Sequence, residues 1–162
     1  MAEVLLQPFV IVVCFLWCIL VKYYYMGYKY KILPHLADIK LEITASSKEN
    51  IFRGALEGMA YIIQPSASQK TVLKKEQIEI HSLDINALLV DFLNEVLAKS
   101  DIYNSVFDNI KIEKLTDNSI KGIIEGRNVK EFSKEIKAAT YHELNITQDK
   151  NGDWKAIILF DI

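Results

Sequence analysis

Apolar and polar residues alternate along residues 38–45, where Ile39, Leu41 and Ile43 occupy every second position. This period of two is typical of a β-strand with one buried face. Along residues 51–63 the apolar residues recur instead at intervals of three and four, which predicts an amphipathic helix that ends before Pro65. Ser46 and Glu49 precede this helix with the spacing of a capping box.

A second helix and further strands are indicated in the remainder of the chain. Residues 85–99 carry apolar positions at helical spacing, and Asp84 is placed to cap their N-terminus. Asn151-Gly152 is a strong β-hairpin signal. The segments with strand patterning are 76–83, 106–115, 119–125, 136–147 and 154–161. Helices and strands are mixed without regular alternation, which predicts an α+β fold with two helices packed on a largely antiparallel sheet.

Residues 1–25 form an apolar extension, whereas residues 26–162 have the patterning of a single domain. Residues 4–21 are uncharged and would span about 27 Å as a helix, a marginal length for a bilayer crossing. Two interpretations are open. Either the extension is a membrane anchor, with the lysines that follow it keeping the domain in the cytoplasm, or translation starts at Met26.

Composition argues against several classes of function. The chain has 19 Lys and Arg against 21 Asp and Glu, so it lacks the cationic excess of a nucleic-acid-binding module. Both of its cysteines lie within residues 1–25, which excludes thiol catalysis in the domain. No glycine-rich phosphate loop and no Gly-x-Ser-x-Gly motif occurs. These features argue against an independent nucleotide-hydrolysing or nucleophilic enzyme.

Three segments, in this order and spacing, together resemble the archease family, whose members activate the RtcB-type tRNA-splicing RNA ligase. The first is His-Leu-Ala-Asp-Ile at 35–39, similar to a family motif in which threonine is usual where Leu36 stands. The second is Ala-Leu-Leu-Val-Asp-Phe-Leu-Asn-Glu at 87–95. The third runs from Glu-Ile-Lys-Ala-Ala-Thr-Tyr-His at 135–142 to Phe-Asp-Ile at the chain end. The extension has no counterpart in the typical member, which favours a start at Met26.

The resemblance implies a divalent cation bound by Asp38, Asp161 and the terminal carboxylate of Ile162. Three carboxylates without cysteine suit Ca²⁺, or Mg²⁺, better than zinc. A hairpin centred on Asn151-Gly152 would pair the end of the last strand with the preceding one. Spacing alone favours Asp38 as a turn residue and Asp161 as a solvated strand end, whereas the resemblance favours the metal site.

Five further residues are candidates for positions beside the site or facing a partner: His35, His142, Lys137, Asp91 and Glu95. The predicted hairpin register places His142 opposite Asp161, where it would hold that carboxylate. Asp91 and Glu95 share one helix face, which fits an acid–base pair, a solvated face or a polar surface for the ligase. Lys137 is either a partner-facing charge or an ordinary exposed strand lysine.

The expected function is that of a cytoplasmic protein cofactor rather than an enzyme. The resemblance implies that it promotes guanylylation and multiple turnover of an RtcB-type ligase, binds no nucleotide itself, and meets tRNA only through the ligase. It would meet a membrane only if residues 1–25 are an anchor. The alternatives are a membrane-tethered metal-binding domain with its own hydrolytic activity, and an interaction domain whose acidic residues bind nothing.

Overall fold

The structure is a computed structural model, and it describes residues 27–34, 38–63 and 73–162. These residues form two helices, α1 (Lys48–Ile63) and α2 (Ile85–Tyr103). They also form eight strands: β1 (Tyr28–Pro34), β2 (Asp38–Ala45), β3 (Leu73–His81), β4 (Ser105–Leu115), β5 (Ser119–Asn128), β6 (Ala138–Thr140), β7 (Thr147–Gln148) and β8 (Trp154–Asp161).

The strands form two sheets. The larger has the order β1-β2-β8-β6, with β7 also paired to β8, and the smaller has the order β3-β5-β4. Every pairing between described strands is antiparallel. The predicted α+β fold, with two helices on antiparallel sheet, is therefore confirmed.

Helix α1 packs against β1 and β2 of the larger sheet and against β4 of the smaller one. Its apolar stripe is buried, as the sequence periodicity predicts. Gly58 allows the close approach to β2, because a Cβ there would lie 2.7 Å from both methyl carbons of Leu41. Phe52 of α1 meets Phe92 of α2 with ring centroids 5.5 Å apart, which joins the two helices in one core.

The helix caps agree only in part with the sequence analysis. Asp84 caps α2 as predicted, since its Oδ1 accepts hydrogen bonds from the backbone N–H groups of the second and third helical residues at 2.9 and 2.8 Å. The predicted capping box of α1 is wrong by one residue. Ser47 Oγ accepts from Asn50 N at 3.2 Å, while Ser46 Oγ donates to the carbonyl of Gly27 at 3.1 Å.

Two predictions about strands need correction. Strand β1 was not predicted; its tyrosines and isoleucine alternate with lysines, and Tyr28 is buried against α1. The predicted strand 136–147 is interrupted, because only β6 and the first residue of β7 lie within it. Between them the chain turns at Glu143, which has a φ of 58°.

No helix in the described ranges is long and apolar enough to cross a membrane. The apolar extension 1–25 lies outside the described residues. Its interpretation as an anchor or as a mis-assigned start stays a prediction.

Candidate functional site

Two carboxylates meet where β2 begins and β8 ends. Asp38, the first residue of β2, is directly opposite Asp161, the last residue of β8. Directly opposite residues of an antiparallel pair project from the same face of the sheet, with Cα atoms about 4.5–5.5 Å apart. Their neighbours Ile39 and Phe160 are buried on the core face, so both aspartates project from the opposite face. The paired strand ends thus bring together two of the predicted site residues.

The terminal carboxylate is held beside this pair. The side chain of Ile162 packs against the hydrophobic core, which anchors the last residue of the chain. Lys137 Nζ donates a hydrogen bond to the terminal oxygen of Ile162 at 3.0 Å, and Lys137 N donates to the carbonyl of Asp161 at 2.9 Å. Lys137 is exposed, yet its ammonium group and its backbone both bind the end of β8. The alternative, that Lys137 is an ordinary exposed strand lysine, therefore does not account for these two contacts.

The predicted register, which placed His142 opposite Asp161, is wrong. Ala138 lies opposite Asp161, and Thr140 is the last residue of β6 to pair with β8. His142 falls in the turn beyond it, with a side chain that is 71% exposed and an Nε2 atom 3.7 Å from a carboxylate oxygen of Glu143. The predicted register assumed one uninterrupted strand, and the turn at 141–146 breaks that continuity.

His35 lies in the undescribed segment 35–37 between β1 and β2, so its predicted role stays a prediction. Asp38, at the other end of that segment, is described and paired. His35 precedes it by three residues in the chain.

Asp91 forms contacts within the protein rather than presenting a free carboxylate. Its Oδ2 accepts a hydrogen bond from Ser82 Oγ at 2.5 Å, and its Oδ1 accepts one from Tyr141 Oη at 2.8 Å. Glu95, one turn further along α2, forms an ion pair with Lys99 at 3.4 Å. The two acids therefore contact different partners, which argues against their working as an acid–base pair.

Two asparagines of α2 also bind the segment that follows β5, and the sequence analysis assigned neither of them to the site. Asn94 Nδ2 donates to the carbonyl of Ala139 at 3.1 Å, and Ala139 N donates to Asn94 Oδ1 at 2.8 Å. Ile146 N donates to Asn86 Oδ1 at 2.9 Å. The sequence does carry a signal for these contacts, because an amide side chain on a predominantly apolar helix requires hydrogen-bond partners where it is buried.

The hydrogen bond to Asp91 raises the pKa of the Tyr141 hydroxyl, and partial burial and the charge of Asp91 act in the same direction. Tyr141 is nevertheless 56% exposed. Its ring is therefore accessible while its hydroxyl group is fixed by α2.

Replacing Asp91 with Asn is expected to lower the pKa of Tyr141 toward the ordinary value of about 10. Because the folded protein raises this pKa, the contact adds stability that is complete below the unfolded pKa. That stability is lost as the pH rises through the raised pKa. Ring-carbon NMR, assigned with Tyr141→Phe, measures the titration. Glu95→Gln is the control on the same helix, and an unchanged Tyr141 pKa in Asp91→Asn would contradict the expectation.

The donor groups at the end of β8 fit a hard divalent cation. In the described residues, no three His, Cys, Asp or Glu side chains are grouped to hold a metal ion. The predicted set has two such side chains, Asp38 and Asp161, and takes its third carboxylate from the main chain at Ile162. All three supply oxygen atoms, the ligands that Ca²⁺ and Mg²⁺ prefer. Like charges directly opposite one another in a sheet are destabilising, and a bound cation would offset that repulsion.

The fold and the site together define a small α+β protein with a carboxylate pair at the end of its larger sheet. The family model for the archease protein family matches residues 30–162. The chain therefore belongs to the archease family.

Relatives and solved structures agree with this assignment. The chain is 31% identical to protein archease of Methanosarcina barkeri, over 84% of this chain and 97% of the relative. It is 29% identical to protein archease of Thermococcus kodakarensis, over 83% of this chain and 99% of the relative. The solution structure of protein 1598 of Methanobacterium thermoautotrophicum matches with a TM-score of 0.64 at 26% identity, over 85% of this chain and 99% of that one.

The crystal structure of an archease from Thermotoga maritima, described as a possible chaperone, matches with a TM-score of 0.58 at 22% identity. The match covers 82% of this chain and 96% of that one. At this identity it supports the fold alone.

Proposed function

We propose that this protein activates an RtcB-type tRNA-splicing RNA ligase by promoting guanylylation of the ligase and its multiple turnover. Membership of the archease family supports this proposal. The observation that carries it is the facing pair Asp38 and Asp161 beside the carboxylate of Ile162, which Lys137 binds. In this proposal the protein is an accessory factor, and the reacting groups belong to the ligase.

The two aspartates and the terminal carboxylate of Ile162 would hold a divalent cation, with Ca²⁺ as the proposed ion and Mg²⁺ as the alternative. The cation would offset two of the three negative charges and hold the carboxylates in a fixed arrangement for the partner. Lys137 would offset the third, because its ammonium group binds the terminal carboxylate. This chain binds no nucleotide in the proposal, and tRNA is reached through the ligase.

The proposed ligase-facing surface continues from the site along the segment after β6. Tyr141 and His142 are both exposed there. Because Asp91 holds the hydroxyl of Tyr141, this ring would lose little conformational entropy on docking. Tyrosine is also enriched among residues that dominate binding energies at interfaces. Asp91 would therefore contribute to the ligase-facing surface by holding Tyr141 in place, whereas Glu95 is a candidate for direct contact with the ligase.

Multiple-turnover RNA ligation by the cognate ligase, measured with and without this protein, tests the proposal. We expect the protein to increase both the fraction of guanylylated ligase and the number of ligations per ligase molecule. A chelator would remove divalent cations from the ligase as well as from this protein, so its effect on ligation could not be assigned to either one. Calcium binding is therefore measured on this protein alone by calorimetry. Unchanged guanylylation and unchanged turnover would overturn the proposed function.

A further inference from the structure

Asn94 occupies the place that a neighbouring strand would take beside β6. Its amide group accepts from the N–H of Ala139 at 2.8 Å and donates to the carbonyl of the same residue at 3.1 Å. In an antiparallel sheet, a residue exchanges this pair of hydrogen bonds with the adjacent strand. A strand of three residues at a sheet edge has few hydrogen bonds of its own, so these two form a large share of what holds it.

The position of β6 determines where Lys137 lies. Ala138 pairs with Asp161, and Lys137 precedes it in the chain. Lys137 binds both the carbonyl of Asp161 and the terminal oxygen of Ile162. Movement of β6 away from β8 would therefore separate Lys137 from the chain end and release the terminal carboxylate.

The helix that carries Asn94 is a rigid support. Its neighbours Phe92 and Leu93 are fully buried. Asp84 caps the start of α2, and Asn104 ends it in the left-handed conformation with a φ of 47°. The amide of Asn94 therefore projects from a packed element onto a short edge strand whose own contacts are few.

We propose that Asn94 is a positioning residue for the carboxylate site. By fixing β6 against β8, it holds Lys137 at the chain end and sets the affinity of the site for its divalent cation. The inference rests on the cation binding proposed above. Lys137 orients a ligand carboxylate without touching the ion, and groups of that kind typically contribute 10- to 100-fold in affinity, so we expect about that range when Asn94 no longer places it. Since the ammonium charge itself repels a cation, the weakening would come from the lost position of the carboxylate and not from the lost charge.

The experiment compares Asn94→Leu and Asn94→Ala with Asn86→Ala in the full chain. Leucine keeps the branched arrangement of side-chain heavy atoms of asparagine and removes both hydrogen bonds, and the smaller alanine removes them without adding volume. Asn86 is the matched control, because it lies on the same helix and binds a backbone N–H, that of Ile146, close to β7. Strand β7 pairs with the start of β8 at Trp154 and Lys155, away from the carboxylates.

We expect calcium titration by calorimetry to show a Kd about 10- to 100-fold higher in both Asn94 variants, and one within about threefold of the wild type in Asn86→Ala. Amide hydrogen exchange in calcium-free protein should show faster exchange at Lys137 and Ala139 in the Asn94 variants only. Thermal unfolding confirms that each variant is folded at the temperature used.

The outcomes separate this inference from the function on which it rests. If the wild type binds calcium and the Asn94 variants bind it equally well, or if Asn86→Ala weakens binding as much, the positioning role is overturned. If the wild type binds neither calcium nor magnesium in the same titration, the proposed cation site fails. The placement of Lys137 by Asn94 is then decided by amide exchange, and unchanged exchange at Lys137 would overturn it.

Discussion

Asp38→Asn is expected to reduce the stimulation of multiple-turnover RNA ligation by about 100-fold, to near the rate of the unassisted ligase. Asparagine keeps the size of the side chain and one oxygen, but it removes a negative charge from the pair with Asp161. Calcium affinity depends on the number of charged ligands, and even substitutions behind the ligands cost 10- to 100-fold. Steady-state ligation with the ligase at low concentration and this protein in excess measures the effect.

The matched control for this prediction is Asp117→Asn, because Asp117 is an exposed turn residue paired with Lys48 on another part of the molecule. It should stimulate the ligase as the wild type does. A single round of ligation by ligase that is already guanylylated should be insensitive to Asp38→Asn, since the proposed role precedes that step. Full stimulation by a folded Asp38→Asn protein would contradict the proposed site.

Asp161→Asn should have an effect of similar size, and the double variant should lose little more than either single one. Residues that act as a unit give non-additive effects, because the first substitution already removes the shared interaction. Additive losses would instead indicate that Asp38 and Asp161 serve the ligase independently. The double-variant cycle therefore tests the facing arrangement itself.

Local patterns in the sequence predict the elements that carry the site better than they predict how those elements meet. The alternation at 38–45 and at 154–161 corresponds to β2 and β8, and Asn151-Gly152 marks the turn before β8. The pairing of β2 with β8 joins distant parts of the chain, and neither strand's own pattern specifies it. From the sequence, only the family resemblance assigns Asp38 and Asp161 to one site.

The error at 136–147 has a physical cause on another element. Ile136, Leu144 and Ile146 fall at even spacing, which is typical of a strand. In the structure the chain turns at Glu143 after β6, and beyond the turn Asn86 of α2 accepts the backbone N–H of Ile146 that a continuous strand would use. Hydrogen bonds between a helix side chain and a distant backbone leave no periodic signal in the segment that they bind.

The missed strand β1 illustrates the converse case, in which tertiary contacts support a polar sequence. Tyr28, Tyr30 and Ile32 alternate with lysines at the period of a strand, but two of these three positions are tyrosines with a polar hydroxyl group. Tyr28 Oη donates a hydrogen bond to Glu57 of α1 at 2.6 Å, so a tyrosine can be buried there with its hydroxyl satisfied. Burial is also the main cause that raises the pKa of Tyr30 to about 12.

Adding one glycine after Ile162 is expected to weaken calcium binding by about tenfold or more. The addition converts the carboxylate of Ile162 into a neutral amide and moves the negative charge one residue further along the chain. The charge partner of Lys137 at 3.0 Å is then lost, and the relocated carboxylate lacks the anchor that the packed side chain of Ile162 supplies. Calorimetric titration of the full chain with calcium measures the change.

Two controls separate loss of the carboxylate from disturbance of the core. Ile162→Val keeps the terminal carboxylate and an apolar side chain, so it should bind calcium within about threefold of the wild type while losing roughly 1 kcal/mol of stability or less at this partly buried position. Glycine added before Met1 should change neither property. Unaltered affinity after the addition at Ile162 would show that Asp38 and Asp161 bind the cation without the chain end, and Lys137 would then act on the partner rather than on the site.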